Sequence, residues 1–257
     1  MTDMAATGPT EWRGRKDTAR WCLTGEFIDS CLQGAGGSFQ EGELAYLAMT
    51  SQIENPVRDR VAYEMHRLLR GTRTLLDVGR EWTGLSTEGK DGRPVRRQVD
   101  LAVVEKPARR TSVVPYPRGV VEFKAFYAHR ARSVGQLNHI YREVYRDVEK
   151  CRTSSGAVMG EVFSVVLLST LRVVGSRIPH QVMRKIEGKV AVDDFMRETG
   201  RFSDEGTVLA VSERLSRLGP VRNGLIDAGT DSGIQVTVPY VILGPVPVET
   251  YENLPSL

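Results

Sequence analysis

Cysteine is scarce in this chain, and long apolar runs are absent from it. Cys22, Cys31 and Cys151 are an odd number of thiols, lie far apart and form no CxxC pair, which argues against a disulfide framework and a structural zinc site. Apolar runs reach only about five to seven residues, far short of the roughly 20 that a membrane span requires. The first ten residues lack the basic and apolar regions of a secretory signal. We therefore expect a protein of the reducing cytoplasm with no membrane segment.

Several catalytic signatures are missing as well. The four histidines form no HxH, HExxH or HNH arrangement, no serine lies in a GxSxG elbow, and no GxxxxGK[ST] loop is present. Acyl transfer and P-loop nucleotide hydrolysis therefore have no support, and we expect no nucleotide cofactor.

The distribution of charge is more informative than its total. The net charge of +3 is too small to indicate nucleic-acid binding, but residues 106–132 hold seven basic residues against the single acid Glu122. This stretch predicts contacts with nucleic-acid phosphates, unless it only solubilises a long hairpin. The candidate contact residues are Arg109, Arg110, Arg118, Arg130, Arg132 and, beyond the stretch, Gln136.

Apolar periodicity predicts helices in the first part of the chain. We expect one helix over residues 16–32, a flexible break at the glycine-rich residues 34–38, and a second helix over 41–52. A third helix is expected to begin at Asn55-Pro56 and to end near Gly71, with Arg58, Arg60 and Arg67 on its solvated side. The predicted organisation is a disordered tail (1–10), an N-terminal helical extension (11–38) and an α/β domain (39–257).

The pattern then becomes extended, which predicts a mixed α/β fold. Three strands are expected to form an antiparallel meander, with a turn over residues 84–92 between the first two. A helix should follow at 136–151, then a strand buried on both faces, helices near 192–198 and 211–218, and a last strand. The predicted strands cover residues 75–82, 96–104, 119–127, 161–174 and 234–243.

Two of these strands carry the residues with the clearest chemistry. Alternate residues of a strand share a face, so Glu122 and Lys124 project from the same side. Asp100 lies in another apolar strand and can face Glu122 if the intervening loop closes a hairpin. The two carboxylates suit Mg²⁺ or Mn²⁺, and the lysine suits the orientation of a water molecule or the stabilisation of an anionic transition state. This pattern predicts phosphodiester hydrolysis.

Val99-Asp100, a hairpin and then Glu122-Phe123-Lys124 resemble the D-(x)n-(D/E)-x-K signature of the PD-(D/E)XK, restriction-endonuclease-like nucleases, with Val99 in place of the usual proline. The predicted element order over residues 53–174 also resembles the α-β-β-β-α-β core of that superfamily, a mixed sheet flanked by helices. The resemblance implies a Mg²⁺-dependent DNA endonuclease of restriction or defence, with Mn²⁺ as a substitute. Cleavage of both strands by a single-site subunit would need two copies, so we expect a homodimer.

Many members of the superfamily place another metal-binding glutamate on the first core helix. Glu54 is the candidate here, and Glu64 is the alternative on the same helix. On the helix after the third strand, Gln136, Tyr141 and Lys150 resemble polar positions that several members place near the phosphate.

Each of these site residues can also be explained by a structural role without catalysis. Glu122 and Lys124 can belong to a solvated strand face, and Asp100 can pair with a nearby arginine such as Arg80 or Arg97. An acid at the position of Glu54 is favoured by the helix dipole alone.

Overall fold

Six strands form one mixed sheet in a computed structural model, which describes residues 21–71, 75–88, 94–105, 117–131, 133–151, 160–174 and 204–246. In sheet order, β1, β2 and β3 are antiparallel neighbours, β3 and β4 are parallel, and β4, β6 and β5 are antiparallel. The strands are β1 Leu76–Glu88, β2 Pro94–Glu105, β3 Pro117–Tyr127, β4 Glu161–Val173, β5 Val221–Asp231 and β6 Ile234–Leu243.

Helices cover both faces of the sheet, so the predicted mixed α/β fold is confirmed. Helices α1 to α3 share a buried apolar core with one face, while α4 and α5 share a second core with the other. The described helices are α1 Gly25–Gly37, α2 Glu43–Thr50, α3 Glu54–Gly71, α4 Val134–Lys150 and α5 Asp204–Leu215, with a 3-10 turn at Ala128–Ala131. No helix in the described ranges is long and apolar enough to cross a membrane.

Strand alternation decides which core each side chain of β3 enters. Val121 and Phe123 are buried under α1 to α3, whereas Val120 and Phe126 are buried under α4 and α5. Glu122 therefore projects toward α4 with its fully buried side chain. Strand β4 is buried on both faces, as its continuous apolar run predicted.

The predicted break at residues 34–38 is wrong, because α1 continues through these glycines to Gly37. A Cβ atom at Gly34 would lie 3.1 Å from the Glu64 carboxylate, and one at Gly36 would lie 2.7 Å from Ile226. The glycines therefore let α1 approach its neighbours closely. The helix also begins later than residue 16: its first described residue is Gly25, and the Thr24 hydroxyl accepts a hydrogen bond from Phe27 N–H at 3.2 Å.

Helix α3 begins at Glu54 rather than at Asn55-Pro56. Val57 N–H donates to the Ile53 carbonyl at 3.0 Å, so Pro56 lies in the first turn, where its missing N–H leaves no helix hydrogen bond unmade.

Strand boundaries show two further differences from the sequence expectations. The predicted turn over 84–92 is wrong in its first half, because β1 continues to Glu88 and pairs with β2 there. Strand β5 was not predicted, and the expected helix at 211–218 is observed as α5, ending at Leu215. The helix expected near 192–198 and the tail at 1–10 lie outside the described residues.

Candidate active site

The site lies where β2 and β3 separate. Their pairing runs from Val104↔Pro117 to Leu101↔Val121, so Asp100 and Glu122 are the next residues on the two strands. Beyond this point β2 continues only along β1, while β3 continues along β4. The edge of β3 that faced β2 thus loses its backbone partner.

Two carboxylates replace that partner. Asp100 Oδ2 accepts a hydrogen bond from Phe123 N–H at 2.7 Å, and Glu54 Oε2 accepts one from Ala125 N–H at 3.1 Å. Phe123 and Ala125 are two residues apart, so both N–H groups point to the same edge of the strand. Glu54, from the first turn of α3, and Asp100, from β2, are therefore aligned along β3.

Helix α4 contributes the other half of the cluster. Glu122 Oε2 accepts from Lys150 Nζ at 2.7 Å, and Lys124 Nζ lies 2.8 Å from Asp147 Oδ2. Asp147 Oδ1 also lies 3.3 Å from Lys150 Nζ. Acidic and basic groups therefore alternate from Glu122 through Lys150 and Asp147 to Lys124.

Burial determines the protonation behaviour of this cluster. Burial raises the pKa of Glu122 to about 9, against the lowering effect of Lys150, and the charge of Asp100 raises it further. Burial also raises the pKa of Glu54, while the positive charge of Lys124 opposes this. Burial alone would lower the pKa of Lys124, but the hydrogen bond and charge of Asp147 outweigh it, so the pKa is raised.

Arg58 occupies an unexpected place. It was predicted on the solvated side of its helix, but it is buried because its guanidinium bridges acids on three elements. Its nitrogens lie 3.4 Å from Asp100, 3.2 Å from Asp59 and 3.3 Å from Glu81. Arg58 is thus a cation beside Asp100, whereas Arg80, one of the predicted partners, pairs with Asp59.

The structure separates the two candidate glutamates of α3. Glu54 reaches the edge of β3, whereas Glu64 pairs with Arg67 at 2.7 Å and lies against Gly34 of α1. Of the four predicted catalytic residues, Glu54, Asp100, Glu122 and Lys124, all lie in the cluster.

The predicted nucleic-acid contacts are more scattered. Arg118 pairs with Glu105 at 2.7 Å, and Gln136 lies in the first turn of α4, with its side-chain amide directed at the carbonyls of His129 and Arg130. Arg109, Arg110 and Arg132 lie outside the described residues.

Sequence reasoning missed Asp147. A usable signal existed, because Asp147 falls within the apolar stripe of α4 formed by Ile140, Val144 and Val148. A charged residue in such a stripe must find a partner, since burial of an unpaired charge is costly. Lys150, one turn later, was among the weaker matches and does contact Glu122, whereas Tyr141 stacks on Tyr145.

The donor chemistry of the cluster suits a hard divalent cation, but its present arrangement does not form a complete coordination site. Glu122 Oε1 is buried without a hydrogen-bond partner among the described residues, which indicates a missing partner such as a cation or water. Within those same residues, however, no three acidic, histidine or cysteine side chains are grouped to hold a metal ion. Arg58 instead lies beside Asp100, and Lys150 contacts Glu122.

Comparisons of this chain with protein-family models, curated proteins and solved structures find no match. Functional inference therefore depends on the geometry of the cluster.

Proposed function

We propose that this protein is a Mg²⁺-dependent endonuclease that hydrolyses DNA phosphodiester bonds. The observation that carries this proposal is the convergence of Glu54, Asp100, Glu122 and Lys124 where β2 and β3 separate. These residues come from three elements, and a solvated strand face would leave Glu122 exposed rather than fully buried.

The order of the elements supports a restriction-endonuclease-like core. From α3 to β4 the chain forms a helix, three antiparallel strands, a helix and a strand parallel to the third. Asp100 precedes the hairpin connection, and Glu122 and Lys124 follow it, which is the arrangement of the PD-(D/E)XK signature.

Asp100, Glu122 and Glu54 would hold Mg²⁺, or Mn²⁺ as a substitute, because their oxygen atoms are hard ligands. When bound, the cation would supply charge neutralisation at the phosphate and a lower pKa for the attacking water. The cation would then add positive charge beside Asp100 and Glu122, which Arg58 and Lys150 contact in the structure.

Lys124 would orient the attacking water or stabilise the anionic transition state. Its ammonium is half-buried and held by Asp147 at 2.8 Å, so its position is fixed before substrate binds. A fixed cation avoids reorganisation during the reaction, which is the physical basis of its contribution to the rate.

We further propose a cytoplasmic role in restriction or another defence against foreign DNA. Since the described residues of a subunit form one such cluster, cleavage of both strands would use a homodimer.

The direct test is incubation of purified protein with plasmid, phage and modified DNA in Mg²⁺, Mn²⁺ or EDTA. We expect metal-dependent cleavage that is lost in Asp100→Ala and Lys124→Ala. Glu64→Gln is the matched control, because Glu64 lies on the same helix as Glu54 but outside the cluster, and it should retain cleavage. Cleavage that persists in both alanine variants would refute the assignment.

A second candidate is a nucleic-acid-binding protein whose nuclease-like fold does not catalyse turnover. The observation in its favour is that Arg58, Lys150 and two backbone N–H groups already engage the three carboxylates. This candidate predicts that the protein binds the same DNA substrates but cleaves none of them, whichever metal is present.

A further inference from the structure

A half-open pocket adjoins the carboxylate cluster. It is partly open to solvent and lies between the α2–α3 junction and the neighbouring strands β3 and β4. Ile53, which precedes Glu54, lines one side, and Ala125, whose N–H donates to Glu54, lines another. The pocket is therefore a direct neighbour of the proposed hydrolytic site.

The polar groups of this pocket favour an anion. Arg130 lines it and is half-buried, yet its guanidinium has no ion-pair partner among the described residues. None of the described lining residues is acidic, which disfavours a cation. Gln52 and Ser169 also line the pocket, and no described residue hydrogen-bonds to their side chains, so they are available as donors.

A helix N-terminus and a fixed tyrosine side chain also favour anion binding in this pocket. Helix α3 begins immediately after Gln52 and Ile53, so the positive end of its dipole lies beside the pocket. Tyr127 forms a wall and is fixed twice, since its hydroxyl donates to the Ala48 carbonyl at 3.1 Å and its ring stacks on His129. An arginine, neutral donors and a helix N-terminus together match the chemistry of a phosphate group.

We propose that this pocket binds a phosphate of the substrate strand adjacent to the phosphate that is hydrolysed at the carboxylate cluster. The inference rests on the proposed function for the identity of the strand, but the binding of phosphate itself does not depend on hydrolysis. Arg130 supplies the charge, and Ser169 and Gln52 supply hydrogen bonds.

Binding of inorganic phosphate and of a 5′-phosphorylated thymidine trinucleotide, measured by calorimetry in EDTA, tests the proposal. We expect Arg130→Gln to weaken both affinities about tenfold or more, because a charge-assisted hydrogen bond is lost. Arg130→Lys should keep part of the affinity. Arg142→Gln is the control, since Arg142 is exposed on α4, and it should bind as the wild type does.

Equal affinities in the wild type, Arg130→Gln and Arg142→Gln would overturn the proposal, as would failure of the folded wild type to bind phosphate. The slope of log affinity against log salt for the trinucleotide should also fall by about 0.7 in Arg130→Gln, the value for one phosphate contact on a single strand.

The two proposals fail in different ways. Arg130-dependent phosphate binding without cleavage of any nucleic acid would support the phosphate-binding pocket and refute the hydrolytic function. Metal-dependent cleavage with the same KM in the wild type and in Arg130→Gln would support the hydrolytic function and refute phosphate binding in the pocket.

Discussion

At the residue scale, Glu122 is the most deeply buried acid among the described residues. Its side chain is fully buried, Oε1 has no hydrogen-bond partner among the described residues, and burial raises its pKa to about 9 against the effect of Lys150. The usual pKa is 4.5. The folded protein therefore retains a proton on Glu122 through a pH range in which the unfolded chain has lost it.

Removal of this titration by Glu122→Gln should stabilise the protein in EDTA. Between pH 5 and pH 9 the unfolded wild type binds fewer protons than the folded form, so its free energy of unfolding falls as pH rises. The advantage of Glu122→Gln should therefore increase with pH, while metal-dependent cleavage is lost. Urea denaturation at several pH values measures this. Glu213→Gln, at an exposed position of α5, is the control. A pH-independent difference in stability between Glu122→Gln and the wild type would mean that Glu122 is ionised in the folded protein.

Asp147 positions the two lysines of the cluster. Because it holds Lys124 and Lys150, Asp147→Asn should lower kcat about tenfold or more with little change in Mn²⁺ affinity, and Asp147→Glu should recover part of the rate. Single-turnover cleavage and Mn²⁺ titration separate the two effects. Asp231→Asn, at the end of β5, is the control. A parallel loss of Mn²⁺ affinity would instead identify Asp147 as a metal ligand.

At the element scale, the separation of β2 from β3 creates the site, because it exposes strand N–H groups that carboxylates then satisfy. Asp100→Ala should accelerate hydrogen exchange of the Phe123 amide, and Glu54→Ala should do so for Ala125. The Lys124 amide points to the other edge, toward β4, and should change little. Exchange measured by NMR reports these amides individually, and an unchanged Phe123 amide in Asp100→Ala would contradict the geometry.

Helix α1 depends on glycine for its close packing rather than for flexibility. Gly36→Ala should destabilise the protein by about 1–3 kcal/mol, because the added Cβ would overlap the buried, β-branched Ile226. Gly37→Ala is the matched control, since a Cβ there meets nothing within 4 Å, and it should be neutral or stabilising by up to about 1 kcal/mol. Thermal denaturation of both variants decides this. Equal stability of the two variants would mean that Ile226 shifts to accommodate the added Cβ atom at no cost in free energy.

At the scale of the whole molecule, the cluster joins the two cores on either side of the sheet. Glu54 comes from a helix of one face, and Asp147 and Lys150 come from a helix of the other. A ligand that binds this junction should therefore stabilise the entire fold.

Mn²⁺ at about 100 times its dissociation constant should add roughly 2.7 kcal/mol to the free energy of unfolding of the wild type. Its melting temperature should rise, and EDTA should reverse the rise. Asp100→Ala should lose most of this shift, while Glu64→Gln should keep it. An equal rise in Asp100→Ala would show that the ion binds elsewhere.

The extent of sequence prediction differs between local and long-range features. Alternation predicted that Glu122 and Lys124 share a face, and apolar periodicity located β3, β4 and α4 to within a few residues. Strand β5 was not predicted, because its exposed edge position leaves few apolar residues in its sequence pattern. The glycines Gly34, Gly36 and Gly37 were wrongly predicted to break the helix. Helix propensity describes an isolated helix, whereas tertiary contact decides whether a small residue is needed.

The sequence by itself determined the types and spacing of Asp100, Glu122 and Lys124, and strand alternation placed Glu122 and Lys124 on one face. Only the tertiary structure decided their partners. Arg58 and Asp147 lie on helices whose rotation and position on the sheet depend on the packing of both cores. The physical reason is that strand alternation acts over two residues, whereas the balance of buried charge depends on groups that only folding brings together.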